Sequence, residues 1–248
     1  MHHELIANKK AWDQIAEKYR GACCLPVWGP FDVCADRDLL GSVAGKTVLE
    51  IGCGSGHSIS YLAHRGVQQA YGLDISTTQA AFATHLNREH VASGRVQIFE
   101  TPMEERLGFE DIDLIYSIYA IGWTRDPHAL FQNLWSYLRP GGKLVWSWEH
   151  PIFSKVRYQD GNYIVHNSYF DEGAYFNERW GGSDGVYMQT RTVATWFRYL
   201  TAAGFTVRDF LEPEPAPATD TWSDPSGYYS PVKARTVPST MIFVCEKT

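Results

Sequence analysis

The sequence has few cysteines and no long apolar run. There are five cysteines, an odd number, and none of them forms the CxxC spacing that is typical of structural zinc sites. This argues against a disulfide framework and against a bound metal, and it favours a reducing cytoplasm. No apolar segment reaches the roughly 18 residues that a membrane-spanning helix needs. The N-terminus lacks a basic stretch followed by an apolar segment, so no signal peptide is expected.

Positive charge is in the minority. The chain has 22 Lys and Arg against 28 Asp and Glu, which gives a formal net charge of −6. A protein that binds nucleic acid mainly through the phosphate backbone usually carries an excess of basic residues. The composition therefore predicts no nucleic-acid partner and favours a small-molecule substrate. A length of 248 residues fits one domain.

Strand-like and helix-like segments alternate over most of the chain. This alternation predicts an α/β fold, in which helices cover both faces of a parallel sheet. The first amphipathic helix is expected from about residue 8 to residue 19. The predicted strands lie at residues 47–51, 70–73, 96–100, 113–117, 143–148, 205–210 and 241–245.

The segment 151–190 differs in composition from the rest of the chain. It is rich in Tyr, Phe, Asn, Asp and Gly and has no helical period, which predicts an insertion of short antiparallel strands or ordered loops. So many aromatic side chains are not expected to be exposed without a reason. They are predicted to cover a pocket for a partly apolar or aromatic substrate, or to form the contact of a homodimer.

A glycine-rich loop follows the first predicted strand. The string Glu50-Ile51-Gly52-Cys53-Gly54-Ser55-Gly56 leads into a helix, and glycines at this place let the backbone approach a ligand at the helix N-terminus. Asp74 ends the next strand, where a carboxylate can accept hydrogen bonds from both ribose hydroxyls. An adenosine-containing ligand is therefore predicted. His57 stands where a nicotinamide-binding loop has its third glycine.

The pattern E-x-G-x-G-x-G, together with Asp74, the strand at 113–117 and the Pro140-Gly141-Gly142 turn, resembles the class I S-adenosylmethionine-dependent methyltransferases. The similarity is to their small-molecule, methyltransferase type 11-like group. It implies a Rossmann-like, doubly wound sheet of seven mostly parallel strands with an antiparallel C-terminal strand. It also implies a single domain over 1–248, with residues 1–30 as a helical lid and 151–190 as an insertion over the active site.

The resemblance implies S-adenosyl-L-methionine as the cofactor. The implied cofactor-binding residues are Trp12, Tyr19, Glu50, Gly52, Cys53, Gly54, Gly56, Asp74, Ile75, Met103, Glu104 and Ser117. In this assignment Glu50 orients the loop or the cofactor amino group, Asp74 holds the ribose, and Ile75 lies against adenine. Ser117 is expected near the sulfonium. Relatives usually have an Asp followed by a small residue after the third strand, where this chain reads Thr101-Pro102-Met103-Glu104. In this chain Met103 is expected to supply a backbone N–H and an apolar contact to adenine, and Glu104 or Glu100 to accept a hydrogen bond from the adenine amine.

A catalytic residue is less clearly indicated. Transfer of a methyl group from a sulfonium is an in-line displacement with an activated donor, and positioning of the acceptor supplies much of the acceleration. A general base is needed only if the acceptor must lose a proton. His150 is the leading candidate because it directly follows the fifth strand, although with Pro151 it can equally shape the exit turn. Tyr19 and Tyr119 are further candidates for orienting the acceptor.

The reaction predicted for this family is methyl transfer to O, N or C of a small molecule. Two other functions are kept open at this point. One is a nicotinamide-dependent oxidoreductase, against which His57 argues. The other is a non-catalytic cofactor-binding subunit of the same fold. The sequence names neither the acceptor nor the methylated atom.

Overall fold

The computed structural model describes residues 3–34, 37–216 and 224–248. The strands are β1 (Thr47–Ile51), β2 (Gln69–Asp74), β3 (Val96–Glu100), β4 (Ile112–Ile118), β5 (Leu138–Glu149), β6 (Val156–Gln159), β7 (Asn162–Val165), β8 (Gly173–Asn177), β9 (Val186–Thr190), β10 (Phe205–Leu211) and β11 (Thr240–Lys247). The helices are α1 (His3–Ile15), α2 (His57–His64), α3 (Thr77–Leu86), α4 (Arg88–Ala92), α5 (Pro127–Tyr137), α6 (Val193–Ala202) and α7 (Pro231–Ala234).

Seven strands form one sheet in the order β10-β11-β5-β4-β1-β2-β3. Each of the pairs β5-β4, β4-β1, β1-β2 and β2-β3 is parallel, and β11 runs antiparallel to both of its neighbours. This confirms the predicted doubly wound, mostly parallel sheet with an antiparallel C-terminal strand. The chain leaves β1 towards β2 on one side and later returns to β4 on the other. Ligands of such sheets bind beyond the carboxyl ends of the strands at this switch point.

The strands next to the switch point are buried on both faces. Four of the five residues of β1 are buried, as are five of the seven residues of β4. Strands covered by helices on both sides need apolar residues at successive positions rather than at alternate ones. Large side chains such as Phe131, Trp146 and Trp196 fill one face of the sheet. The rigid sheet core thus fixes where the loops at its carboxyl edge begin.

Local sequence signals explain where two helices begin. The Ser76 side chain accepts a hydrogen bond from the Gln79 backbone N–H at 3.1 Å and caps α3. The Asp126 carboxylate accepts one from the Ala129 N–H at 2.9 Å and caps α5. The N-terminal helix differs from its expected bounds. It starts at His3 and ends at Ile15, and a 3-10 turn over Ala16–Tyr19 follows.

Two antiparallel hairpins, β6-β7 and β8-β9, separate β5 from α6. The second hairpin packs against α1. The Asn8 side chain donates to the Tyr187 carbonyl at 2.9 Å and accepts from the Tyr187 N–H at 2.8 Å. These two hydrogen bonds therefore hold α1 against the second hairpin of the insertion.

Neither a membrane span nor a metal-binding group of side chains is found in the described part of the chain. None of its helices is long and apolar enough to cross a bilayer. Within the same residues, no three His, Cys, Asp or Glu side chains are grouped so that they could hold a metal ion.

Close packing at Gly122 gives a stability prediction. A Cβ atom at this position would lie 1.8 Å from an atom of the Trp148 ring. Gly122→Ala must displace the indole, and we expect it to lower the free energy of unfolding by about 1–3 kcal/mol in urea denaturation. Gly108→Ala is the control, because a Cβ there meets no heavy atom within 4 Å. Equal losses in the two variants would contradict the packing argument.

Candidate active site

The loop after β1 depends on glycine. Gly52, Gly54 and Gly56 have positive φ angles of 70°, 51° and 74°. This left-handed conformation is unfavourable for residues with a side chain. A Cβ atom at Gly52 would also lie 2.1 Å from the Ala120 Cβ, so the loop packs directly on the segment that follows β4. The backbone of the loop is thus exposed to a ligand rather than covered by side chains.

Asp74 connects the glycine loop to the end of β2. One carboxylate oxygen accepts a hydrogen bond from the Gly54 N–H at 2.8 Å, and the other accepts one from the Ser76 N–H at 2.9 Å. Burial raises the pKa of Asp74. Each oxygen keeps a second lone pair, because a carboxylate offers about four acceptor sites. Asp74 therefore holds the loop in place and can still accept hydrogen bonds from a ligand.

Glu50 is a second, more deeply buried carboxyl group. Its oxygens each lie 2.6 Å from the Ser58 hydroxyl, and the Tyr116 hydroxyl donates to one of them at 2.9 Å. Burial raises the pKa of Glu50 to about 8. Within the described ranges, no Lys or Arg side chain forms an ion pair with it. The site thus contains a carboxyl group that a cationic ligand group would stabilise in its charged form.

Both carboxyl groups face one cleft at the carboxyl edge of the sheet, with an empty volume of about 1170 Å³ that includes open solvent. Most of the predicted cofactor-binding residues line it. These are Trp12, Tyr19, Glu50, Gly52, Cys53, Gly54, Asp74, Ile75, Met103 and Glu104.

Two predicted residues lie outside this cleft. Gly56 begins α2, and a Cβ there would meet Ala83 at 2.8 Å, so it serves the packing of α2 on α3. Ser117 is fully buried, and its hydroxyl donates to the Ile51 carbonyl at 2.9 Å. Its side chain points across to β1 rather than into the cleft. The residues that line the cleft after β4 are instead Ile118, Tyr119, Ala120 and Trp123.

Glu104 lines the cleft, and its carboxylate already accepts hydrogen bonds from other residues of the protein. One of its oxygens accepts hydrogen bonds from the Thr124 hydroxyl at 2.7 Å and from the Arg125 N–H at 2.9 Å. These contacts fix the loop after β3 against the segment after β4. Met103, one residue earlier, offers an apolar side chain to the same cleft.

Helix α1 is fastened to the part of the cleft formed by β2 and α3. The Asp13 carboxylate accepts hydrogen bonds from the Ser76 hydroxyl at 2.6 Å and from the Thr78 N–H at 3.0 Å. The Lys9 ammonium donates to the Ile75 carbonyl at 3.1 Å and to Glu100 at 3.0 Å. These bonds hold α1 over the end of β2.

The chain after α1 crosses the glycine loop. The Ser55 hydroxyl donates to the Tyr19 carbonyl at 3.0 Å and accepts from the Gly21 N–H at 2.9 Å. Tyr19 is half-exposed and lines the cleft. The N-terminal segment therefore covers the cleft from two sides.

Aromatic side chains from three segments meet above the cleft. The Trp12 ring centroid lies 5.4 Å from that of Tyr19, 5.6 Å from that of Trp123 and 4.7 Å from that of Trp180. Trp123 and Trp180 contact each other at 5.0 Å. Trp123 is not among the site residues predicted from the sequence. Its position just beyond a buried strand, at the edge where ligands bind, is the signal that identifies it.

His150 is not among the residues that line the cleft. Its Nε2 lies 2.8 Å from the Glu212 carboxylate, and its Nδ1 accepts a hydrogen bond from the Ile152 N–H at 3.2 Å. Burial lowers the pKa of His150. Both ring nitrogens thus stabilise the turn that leaves β5. A catalytic role for His150 stays a prediction, and it would require the contact with Glu212 to break.

The raised pKa of Glu50 predicts a pH-dependent stability. Its value of about 8 lies above the ordinary 4.5, so the folded protein binds this proton more tightly than the unfolded chain. The resulting stabilisation is complete below pH 4.5 and is lost as the pH rises through 8. We expect this group to lower the free energy of unfolding by up to about 1.4 kcal/mol per pH unit between pH 6 and 8.

The check is urea unfolding at pH 6, 7 and 8. Glu50→Gln cannot ionise and should flatten the dependence. Glu110→Gln, which removes an exposed carboxylate, is the control and should leave it unchanged. If Glu50→Gln keeps the same change in the free energy of unfolding per pH unit as the unaltered protein, the pH dependence does not come from Glu50.

Comparison with known proteins identifies the fold and the domain. A family model described as a methyltransferase domain matches residues 49–146, which run from β1 into β5. Phosphoethanolamine N-methyltransferase 1 of Triticum aestivum is 32% identical over 108 residues, 44% of this chain. The matched part spans only 22% of that relative's length. An uncharacterized protein of Haemophilus influenzae is 28% identical over 190 residues, 71% of this chain and 73% of that protein.

A solved structure extends the similarity beyond the matched domain. The crystal structure of an S-adenosylmethionine-dependent methyltransferase from Mesorhizobium loti is 25% identical, with a TM-score of 0.71. The alignment covers 89% of this chain and 100% of that one. These findings agree with the predicted resemblance: residues 49–146 match a methyltransferase domain, and the chain is similar over most of its length to a solved S-adenosylmethionine-dependent methyltransferase.

Proposed function

We propose that this protein transfers a methyl group from S-adenosylmethionine to O, N or C of a small, partly apolar or aromatic molecule. S-adenosylhomocysteine is the second product. One observation carries the proposal: the glycine loop, Glu50 and Asp74 face a single cleft at the switch point of the sheet, beneath the rings of Trp12 and Trp123.

The chemistry of the cleft fits this cofactor. Asp74 has acceptor sites left over from its two backbone hydrogen bonds, as two ribose hydroxyls require. Glu50 lacks a cationic partner in the described chain and suits the ammonium of the methionine part. Ile75 and Met103 offer apolar contacts to the adenine. When bound, the cofactor supplies a methyl group already activated on a sulfonium.

The protein's own contribution would be positioning and exclusion of water. The rings of Trp12, Trp123 and Trp180 form an apolar wall, and Tyr19 stands beside them. A wall of this kind keeps the acceptor aligned and limits access of water to the reacting atoms. We propose accordingly that residues 1–30 act as a lid and that the insertion 151–190 completes it. Tyr19 is proposed as an orienting residue because it lines the cleft.

The rings around the cleft and the net charge of the protein support the proposed class of acceptor. Aromatic rings around the cleft favour an acceptor with an apolar or aromatic body. The formal charge of −6 favours a small molecule over a nucleic acid. A homodimeric assembly and a cytoplasmic location remain predictions.

Cofactor binding tests the proposal directly. Isothermal titration should give saturable binding of S-adenosylmethionine and no comparable binding of NAD. Release of S-adenosylhomocysteine on addition of small amines, phenols and carboxylates should then identify an acceptor. A protein that binds S-adenosylmethionine but shows no acceptor-dependent release with any acceptor class would be a binding subunit instead. Tighter binding of NAD would refute the proposed cofactor.

Asp74→Ala tests the ribose contact. Removing hydrogen bonds to a charged acceptor costs about 1.5–3 kcal/mol, so the affinity for S-adenosylmethionine should fall by roughly tenfold or more. Isothermal titration measures the loss, and Glu110→Ala serves as a control at an exposed carboxylate. Circular dichroism must show that Asp74→Ala is folded. Unchanged affinity in the folded variant would exclude Asp74 as the ribose ligand.

A further inference from the structure

A carboxylate outside the proposed cofactor contacts lies at the end of β5. Glu149 accepts a hydrogen bond from the Tyr228 hydroxyl at 2.7 Å on one oxygen and from the Tyr229 hydroxyl at 2.9 Å on the other. Burial raises the pKa of Glu149. Over residues 3–34, 37–216 and 224–248, no Lys or Arg forms an ion pair with it. The proposed cofactor contacts do not use this group.

Glu149 lies close to the cofactor cleft. Tyr119 lines that cleft, and its hydroxyl lies 2.7 Å from the hydroxyl of Thr240, the residue of β11 that pairs with Glu149 of β5. Burial and, to a lesser extent, the charge of Glu149 raise the pKa of Tyr119. Tyr119 also has a positive φ of 52°, which is uncommon for a residue with a side chain. Such backbone strain is often found at functional sites. Tyr119 thus links the cleft to the surroundings of Glu149.

The rings around Glu149 are accessible. Tyr228 and Tyr229 are 50% and 51% exposed, and Tyr175 is 43% exposed. Glu149 also lines a small cavity together with Trp148 and Tyr175. Its two hydrogen bonds use about half of the acceptor sites of a carboxylate. A ligand group that reaches Glu149 therefore meets free acceptor sites bordered by aromatic rings.

One of these rings, that of Tyr228, already contacts a cation. The Lys233 ammonium lies 3.9 Å from the Phe153 ring centroid and 4.7 Å from that of Tyr228. The positive charge of Lys233 opposes the effect of burial on the pKa of Glu149. Ring faces attract cations through their quadrupole, and a carboxylate attracts them directly. The two features together select for an ammonium group.

We propose that Glu149 and the rings of Tyr119, Tyr175, Tyr228 and Tyr229 form the acceptor site, and that they select an acceptor carrying a protonated amine on an apolar or aromatic body. This inference rests on the proposed methyl transfer and narrows its substrate class. Glu149 is a specificity residue here: it accepts hydrogen bonds from the ammonium and fixes the orientation of the acceptor.

Three probes with one aromatic body test the proposal: tyramine carries an ammonium, 4-ethylphenol is neutral, and 3-(4-hydroxyphenyl)propionate carries a carboxylate. Their binding to the full chain, saturated with S-adenosylhomocysteine, is measured by isothermal titration at pH 7. We expect tyramine to bind at least about tenfold more tightly than either of the others. Glu149→Gln should reduce tyramine to the affinity of 4-ethylphenol and leave 4-ethylphenol unchanged.

Two matched variants separate recognition from a structural role. Tyr228→Phe removes one of the hydrogen bonds that position Glu149 but keeps the charge and the ring, so we expect it to weaken tyramine binding less than Glu149→Gln does. Glu110→Gln removes an exposed carboxylate and should change none of the three affinities. A structural role alone would make Glu149→Gln weaken all probes alike, and that result would overturn the proposal.

Other outcomes are equally decisive. Equal binding of the three probes by the unaltered protein, tightest binding of the propionate, or no binding of any probe would each overturn the amine assignment. Binding of S-adenosylhomocysteine is measured first, because its absence contradicts the proposed function itself. Normal binding of S-adenosylhomocysteine without amine preference contradicts only the acceptor site.

Discussion

The Asp74 carboxylate is the contact on which the rest of the cleft depends. It holds the Gly54 N–H of the glycine loop and the Ser76 N–H at the start of α3. Ser76 in turn donates its hydroxyl to Asp13 of α1. A single series of hydrogen bonds therefore joins the loop, the second strand, the third helix and the N-terminal helix. The position of α1 is thus tied to that of the glycine loop through Asp13, Ser76 and Asp74.

Holding two carboxyl groups out of water costs free energy of folding, which the packing of the sheet can offset. Glu50 and Asp74 are carboxyl groups held out of water near each other, and burial raises the pKa of both. The strands that present them have fully buried neighbours such as Leu49, Ile51 and Leu73. Burial of one such side chain contributes about 1.5–3 kcal/mol. The fold thus tolerates two carboxyl groups that form no ion pair with any described residue. A ligand with a cation and hydroxyls would interact favourably with both.

The sequence predicted where the strands, loops and helices lie better than it predicted the directions in which individual side chains point. The glycine loop and Asp74 were predicted from their spacing, and the structure has them where expected. The caps of α3 and α5 likewise rest on residues three positions apart in the sequence. Ser117 and His150 lie next to the expected places, but their side chains bond to Ile51 and Glu212. A one-residue step along a strand reverses the face to which a side chain points. Spacing alone could not decide these directions.

The surroundings of Glu149 are a still harder case for sequence reasoning. Glu149 meets Tyr228 and Tyr229 across about 80 positions of the chain, as the residue numbers show, and no local pattern relates them. They meet because β11 pairs with β5 and returns the chain to the end of that strand. The carboxyl groups proposed to contact the cofactor, Glu50 and Asp74, belong to the first two strands, whereas Glu149, Tyr228 and Tyr229 lie in the later half of the chain. We therefore expect substitutions around Glu149 to leave the hydrogen bonds of Asp74 with Gly54 and Ser76 intact.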